Sequence, residues 1–290
     1  MLPRTIKIDF YKTEDANGDN LDITPTILQA YALDFPARRV DFGDSFVCLY
    51  SARRHRGRLL GEVLKTKMTE LPDKVSRNTG RLQALGLAAD EGIGHRAHFL
   101  YDSANAILLF QRDREVRPPA FVHSVSNPTN QHFALSLIFK ANALERLDRM
   151  RIVRKITFKV ARPDDRVALR NLDPSAGHAI DILNGLGGRQ IEIDVSVGRA
   201  KLAGLERQPA LRAIRSLFQR RDEEVEKVIV SGRETPDGAT EMIDLLEDRL
   251  VFQTEVNLRG RELDRRDCDN ALLTAYDENV AYLRGYRNPE

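Results

Sequence analysis

The stretch SFVCLYSARRHRGRLLGEVLKTKM (Ser45–Met68) decides how the chain is read. Two apolar runs of strand length, Ser45–Tyr50 and Leu59–Met68, flank the segment SARRHRGR, in which Gly57 is the natural turn residue. This pattern predicts a β-hairpin with an arginine-rich end. Upstream, RTIKIDFYK alternates and reads as a strand, and Asp22–Asp34 reads as a short helix with Thr24 at its cap and Pro25 in its first turn. Pro72–Glu91 is polar, with one amphipathic turn at RLQALGL. Downstream, Ala97–Asp102 and Ala106–Arg112 are strands joined by the tight turn Ser103–Asn105, and a helix is expected over Asn130–Asp148 after the cap signal SVSNPTN.

The second half is more regular. Ile152–Val160, Gln190–Val197, Glu226–Arg233 and Arg249–Leu258 read as strands, Pro174–Leu186 and Gln208–Arg221 as helices, and Leu263–Tyr286 as a long closing helix. Short strands interrupted by single helices predict the α+β class: mixed sheets with interspersed helices and a long C-terminal helix. An N-terminal α+β region over 1–150 would carry the basic hairpin and a C-terminal α+β domain would span 151–290. No flexible linker marks the join, so one compact unit fits equally.

The 290 residues carry a formal charge of only +2, yet arginine outnumbers lysine 35 to 10. Between Arg38 and Arg81 there are eleven basic residues against five acids, a local +6 that leaves the remainder at −4. Four arginines, Arg53, Arg54, Arg56 and Arg58, fall within six residues at the hairpin end, flanked by Arg38, Arg39, Lys65 and Lys67. Guanidinium groups present planar forked donors that suit phosphate and never lose their charge. Several such contacts release counterions and bind nucleic acid with little regard to sequence. No aromatic residues interleave with the tip arginines, so stacking on single-stranded bases is not indicated.

Other chemistries are poorly represented. Two cysteines cannot build a disulfide framework or a four-cysteine zinc site, and they point to a reducing cytoplasm. Cys48 lies inside an apolar strand and reads as core, Cys268 as a surface thiol. There is no run of about 18 apolar residues and no apolar leader core. The glycines of Asn184–Gly188 follow a helix, which makes them a helix end and not a phosphate loop. His95 and His98 lead into a strand with no cysteine nearby, and neither a metal nor a cofactor is expected. Glu192 and Asp194 share one face of a strand, as paired acids do in magnesium nucleases, although the lysine that usually follows a second acid does not fall in place.

The segment VIVSGRETPDGATEMIDLLEDRLVFQTEVNL (Val228–Leu258), followed by the long C-terminal helix, resembles the RexA-like phage-exclusion proteins of temperate phages. Two further likenesses are the strand–helix–strand pattern of Val153–Val197 and the segment LAADEGIGHRAHFLYDSANAILLFQRD (Leu87–Asp113). The resemblance implies a dimeric, DNA-binding, non-enzymatic sensor whose partner is a membrane ion channel. The hairpin end departs from the family in being far richer in arginine.

Charge and resemblance together lead to the expectation of a cytoplasmic protein, a homodimer, that binds double-stranded DNA through Arg38, Arg39, Arg53, Arg54, Arg56, Arg58, Lys65 and Lys67 and acts in phage exclusion. The alternatives are a metal-dependent nuclease using Glu192 and Asp194, or a subunit that contacts only other proteins of a defence system.

Overall fold

Alternating side chains and β-branched residues set the strands, and the computed structural model places them as the periodicity requires. It describes residues 3–161, 190–198, 204–206, 224–260 and 262–286. By contact the chain falls into two units, residues 1–133 with 252–284 and residues 134–251 with 285–290. The expected join near Met150 therefore lies inside the second unit. The predicted helices Pro174–Leu186 and Gln208–Arg221, and the glycine cap at Gly187–Gly188, lie outside the described residues. The class is α+β as expected, with several sheets and a long C-terminal helix.

The first unit contains strands β1 (Arg4–Glu14), β2 (Val40–Phe42), β3 (Ser45–His55), β4 (Arg58–Lys67), β5 (Lys74–Val75), β6 (Leu82–Gln83), β7 (Ile93–Asp102) and β8 (Ile107–Gln111). Its helices are α1 (Thr24–Ala32), the single turn α2 (Phe35–Arg38) and α3 (Pro118–Thr129). The second unit holds β9 (Ala134–Leu137), α4 (Ala141–Arg149) and β10 (Ile152–Ala161), β11 (Gln190–Ser196), β12 (Glu224–Arg233) and β13 (Glu241–Asp244). Strand β14 (Val251–Val256), the pair β15 (Leu258–Arg259) and β16 (Glu262–Leu263), and helix α5 (Arg265–Gly285) bring the chain back to the first unit.

The main sheet runs in the order β14-β1-β8-β7-β4-β3-β2, and β1–β8, β8–β7, β7–β4, β4–β3 and β3–β2 are antiparallel. Successive residues of β7 face opposite sides. Phe99 meets the ring of Phe121 on α3 at 5.0 Å, and Tyr101, on the same side, receives the backbone N–H of Ile23 at 3.0 Å just before α1. Asp102 faces the other side and accepts the hydroxyl of Tyr276 on α5 at 2.7 Å. The sheet is thus covered by α1 and α3 on one face and by α5 on the other. In the second unit the sheet order is β11-β10-β12-β13, with β11 at an edge.

One predicted helix is corrected. Asn130–Asp148 is not a single helix: α3 precedes it, Asn130 ends α3 in the left-handed region at φ 55°, and β9 separates it from α4. Pro118 and Pro119 open α3, where a fixed φ and a missing N–H cost nothing, and the SVSNPTN signal is its last turn. Leu135, Ser136, Leu137, Ile138 and Phe139 are all buried in succession, the pattern of a short fully buried strand where a helical stripe is expected. The RLQALGL segment is also not a helical turn; its Leu82–Gln83 pairs with Lys74–Val75 as a small ladder.

Gly61 shows how tightly β3, β4 and β7 are packed. A Cβ there would lie 2.1 Å from the carbonyl oxygen of Ser51 and 2.5 Å from the ring of Phe99. Neither the strand backbone nor a buried phenyl ring can retreat without shifting the sheet. Gly61→Ala is therefore expected to lower stability by about 1–3 kcal/mol or more, measured by urea unfolding, whereas a neutral result would mean that the β3–β4 ladder relaxes freely at this point.

Candidate nucleic-acid interface

The β3–β4 register pairs His55 with Arg58, leaving only Arg56 and Gly57 in the turn. Both have positive φ, 49° and 82°, the signature of a type I′ hairpin whose twist matches the strands. Gly57 adopts this freely, while a left-handed arginine costs about 1 kcal/mol. Alternation then divides the four tip arginines. Arg53 and Arg58 point toward α5, and Arg54 and Arg56 are exposed.

The inward pair is already partnered. Arg53 forms an ion pair with Asp269 on α5. The Arg58 guanidinium lies 3.9 Å above the ring of Tyr276 and 3.5 Å from Asp277. Since Tyr276 is itself held by Asp102, Arg58 belongs to the docking of α5, a contribution of about 0.5–2 kcal/mol from the ring contact alone. Among the described residues Arg54 and Arg56 make no ion pair.

The other four basic residues lie elsewhere. Lys65 and Lys67 stand at the far end of β4, and with a rise of about 3.3 Å per residue that end is roughly 30 Å from the tip. Arg38 and Arg39 lie by this far end, just before β2, which pairs with the start of β3. Arg38 stacks over Tyr31 at 5.3 Å and donates to its carbonyl, and Arg39 pairs with Asp41 at 2.9 Å and covers Phe46 at 5.7 Å. Lys67 reaches Glu70 at 3.6 Å, and Lys65 has no ion pair among the described residues. The eight residues therefore form two groups at opposite ends of one ladder.

A second cluster escapes a reading by charge alone. Ser51, Glu62 and His98 form a cross-strand row over β3, β4 and β7 on the face that α5 covers, and Gln111 of β8 accepts the backbone N–H of His98 at 3.2 Å. Glu62 is 1% exposed and His98 5%. One oxygen of Glu62 accepts from Ser51 at 3.0 Å and lies 3.3 Å from Arg265, and the other lies 3.5 Å from Arg96 and 3.7 Å from His98. His98 Nδ1, Arg53 Nη1 and Asp269 Oδ1 are buried atoms left without hydrogen-bond partners among the described residues. Burial holds the His98 pKa below its ordinary value against the pull of Glu62 and Asp269, with Arg96 and Arg265 also disfavouring its charged form. Cys268, expected at the surface, is fully buried in the first turns of α5, where burial and Asp269, Asp267, Glu62 and Asp264 push its thiol to about 12. A charged residue in the apolar run LLGEVL and a histidine in AHFLY were the available signals for this row.

The carboxylate pair of β11 is engaged with cations. Asp194 contacts Lys155 at 2.9 Å and accepts from Thr157 at 2.5 Å, and these contacts hold its carboxyl below the usual range, while Glu192 lies 3.3 Å from Lys227. His95 and His98 are three apart on β7 and so face opposite sides. Among the described residues no group of three or more His, Cys, Asp or Glu side chains is placed to hold a metal, and no helix is long and apolar enough to cross a membrane.

The chain belongs to DUF6731, a family of unknown function whose model matches residues 4–287. No curated protein matches it.

The buried histidine gives a pH dependence whose sign is fixed. With its folded pKa below the unfolded value near 6.5, His98 is neutral and harmless at pH 7.5, and the folded state loses stability as pH falls through 6.5 and then through the folded pKa. Unfolding midpoints at pH 7.5, 6.0 and 5.0 should fall less steeply for His98→Gln than for the native chain. Parallel profiles would remove His98 as the source.

Proposed function

We propose that this protein binds double-stranded DNA through its phosphate backbone, largely without regard to sequence. The observation that carries this reading is the pair Arg54 and Arg56, exposed and making no ion pair among the described residues at the end of a type I′ hairpin. A planar donor fork on a short, twist-matched turn loses little conformational freedom on meeting a phosphate. Arg53 and Arg58 support the interface indirectly, by fixing the hairpin against α5. The likeness of Val228–Leu258 to RexA-like proteins extends the reading to a cytoplasmic homodimer that senses DNA during phage exclusion and signals to a membrane partner.

The decisive experiment is a gel shift on two unrelated duplexes across a salt series. Binding should fall steeply with salt on both. The double substitution Arg54→Gln with Arg56→Asn removes two charges while giving the turn a residue that favours left-handed backbone. It should make the plot of log affinity against log salt shallower by about 2, with unfolding unchanged. Arg53→Gln should instead act on stability, because it strands the buried Asp269. Affinity unaffected by the double change would take the tip out of the interface, and a native chain that binds neither duplex at low salt would end the proposal.

A further inference from the structure

The segment Lys74–Arg81 (KVSRNTGR) carries three cations and no acid. It forms the end of a small two-stranded ribbon between β4 and β7, in which Lys74 pairs with Gln83 and Val75 with Leu82. The turn is closed locally: Ser76 N–H donates to the Arg81 carbonyl at 3.1 Å, Gly80 N–H to the Ser76 carbonyl at 2.8 Å, and Thr79 N–H to the Ser76 hydroxyl at 3.3 Å. Lys74, Arg77 and Arg81 are all exposed and make no ion pair among the described residues, in contrast to Arg53 and Arg58.

The ribbon is two-faced. Val75 and Leu82 are directly opposed, so they share one face, and they are 61% and 63% exposed. Lys74 and Arg81 stand on alternate positions and belong to the other face. An isolated two-stranded hairpin is marginally stable in water, and covering its apolar pair with a ligand would add burial.

Resting on the reading of the protein as a DNA binder, we propose that this ribbon is its groove-reading arm, seated in the major groove of a duplex. A two-stranded ribbon fits a groove about 12 Å wide. Lys74, Arg77 and Arg81 would take the phosphates of the groove walls, and Val75 and Leu82 would meet apolar surface on its floor, including thymine methyl groups. The charge is complementary to such a ligand and needs no rearrangement of internal ion pairs. The chain leaves the main sheet for the arm at the Lys67 end of β4, the end of the ladder opposite the hairpin tip. Lys65 stands near the same end of β4.

The test uses the full chain and a fluorescent duplex of about thirty base pairs, read by anisotropy across a salt series. The triple change Lys74→Gln, Arg77→Gln and Arg81→Gln should make the salt plot shallower by about 3 and weaken binding about tenfold or more at moderate salt. The pair Val75→Ser and Leu82→Ser should weaken binding severalfold with the salt slope unchanged, because it removes no charge. All five side chains are exposed, so circular dichroism and the unfolding midpoint should not move. If both arm variants bind like the native chain while the tip variant is weakened, the arm proposal falls and DNA binding stands. If the native chain does not bind the duplex, both fall. If the apolar pair instead alters the sedimentation of the free protein and leaves DNA binding intact, its face covers a second copy and the groove assignment is overturned.

Discussion

The first unit depends on a buried carboxylate. Glu62 sits in the middle of a central strand, almost wholly excluded from water, and is tolerable there only because Ser51, Arg96, His98 and Arg265 surround it. Those partners come from the two neighbouring strands, β3 and β7, and from the start of α5. Unpaired, such a charge would cost several kcal/mol; paired, it fixes where the C-terminal helix begins on the sheet. The next row across the same strands, Arg53, Leu60, Leu100, Leu109 and Phe10, is mostly apolar and supplies the burial. Toward the tip, Asp102, Tyr276 and Arg58 fix the middle of the helix. Polar contacts set the position of α5 and apolar ones its adhesion.

This arrangement explains how a basic sequence becomes a divided basic surface. The arginines of the hairpin are neighbours in sequence, but strand alternation sends two to a helix more than 200 residues away and two to solvent. The acids that take up the inward pair belong to the slightly acidic remainder of the chain. Local charge therefore overstates what a ligand meets at the tip, while in the ribbon between β4 and β7, whose cations make no ion pair among the described residues, it does not.

Much of the fold was legible because the signals were local. The β3–β4 hairpin, the β7–β8 pair, the alternating strands of the second unit and α5 all follow from periodicity and turn residues. The stretch after Pro119 is ambiguous in sequence because Phe133 and Leu137 satisfy a helical spacing as well as a strand, and burial of Leu135 between them separates the two. The candidate site was half legible. Composition located the arginines, but which of them are spent on Asp269, Asp277 and Tyr276 depends on contacts at a sequence separation no periodicity encodes. The burial of Cys268 is hidden for the same reason: two of its hydrophilic neighbours in RRDCDN, Arg265 and Asp269, bind the helix to the sheet.

Both thiols of the chain, Cys48 in β3 and Cys268 in α5, are sealed from water and held protonated by that burial. A thiol reagent in solution can reach neither without an opening of the structure, so the chain carries two native clocks. Cys48 dates the opening of the sheet itself, and Cys268 dates the lifting of α5 from the Glu62 row, which makes the order in which these layers separate a quantity that labelling kinetics can read directly.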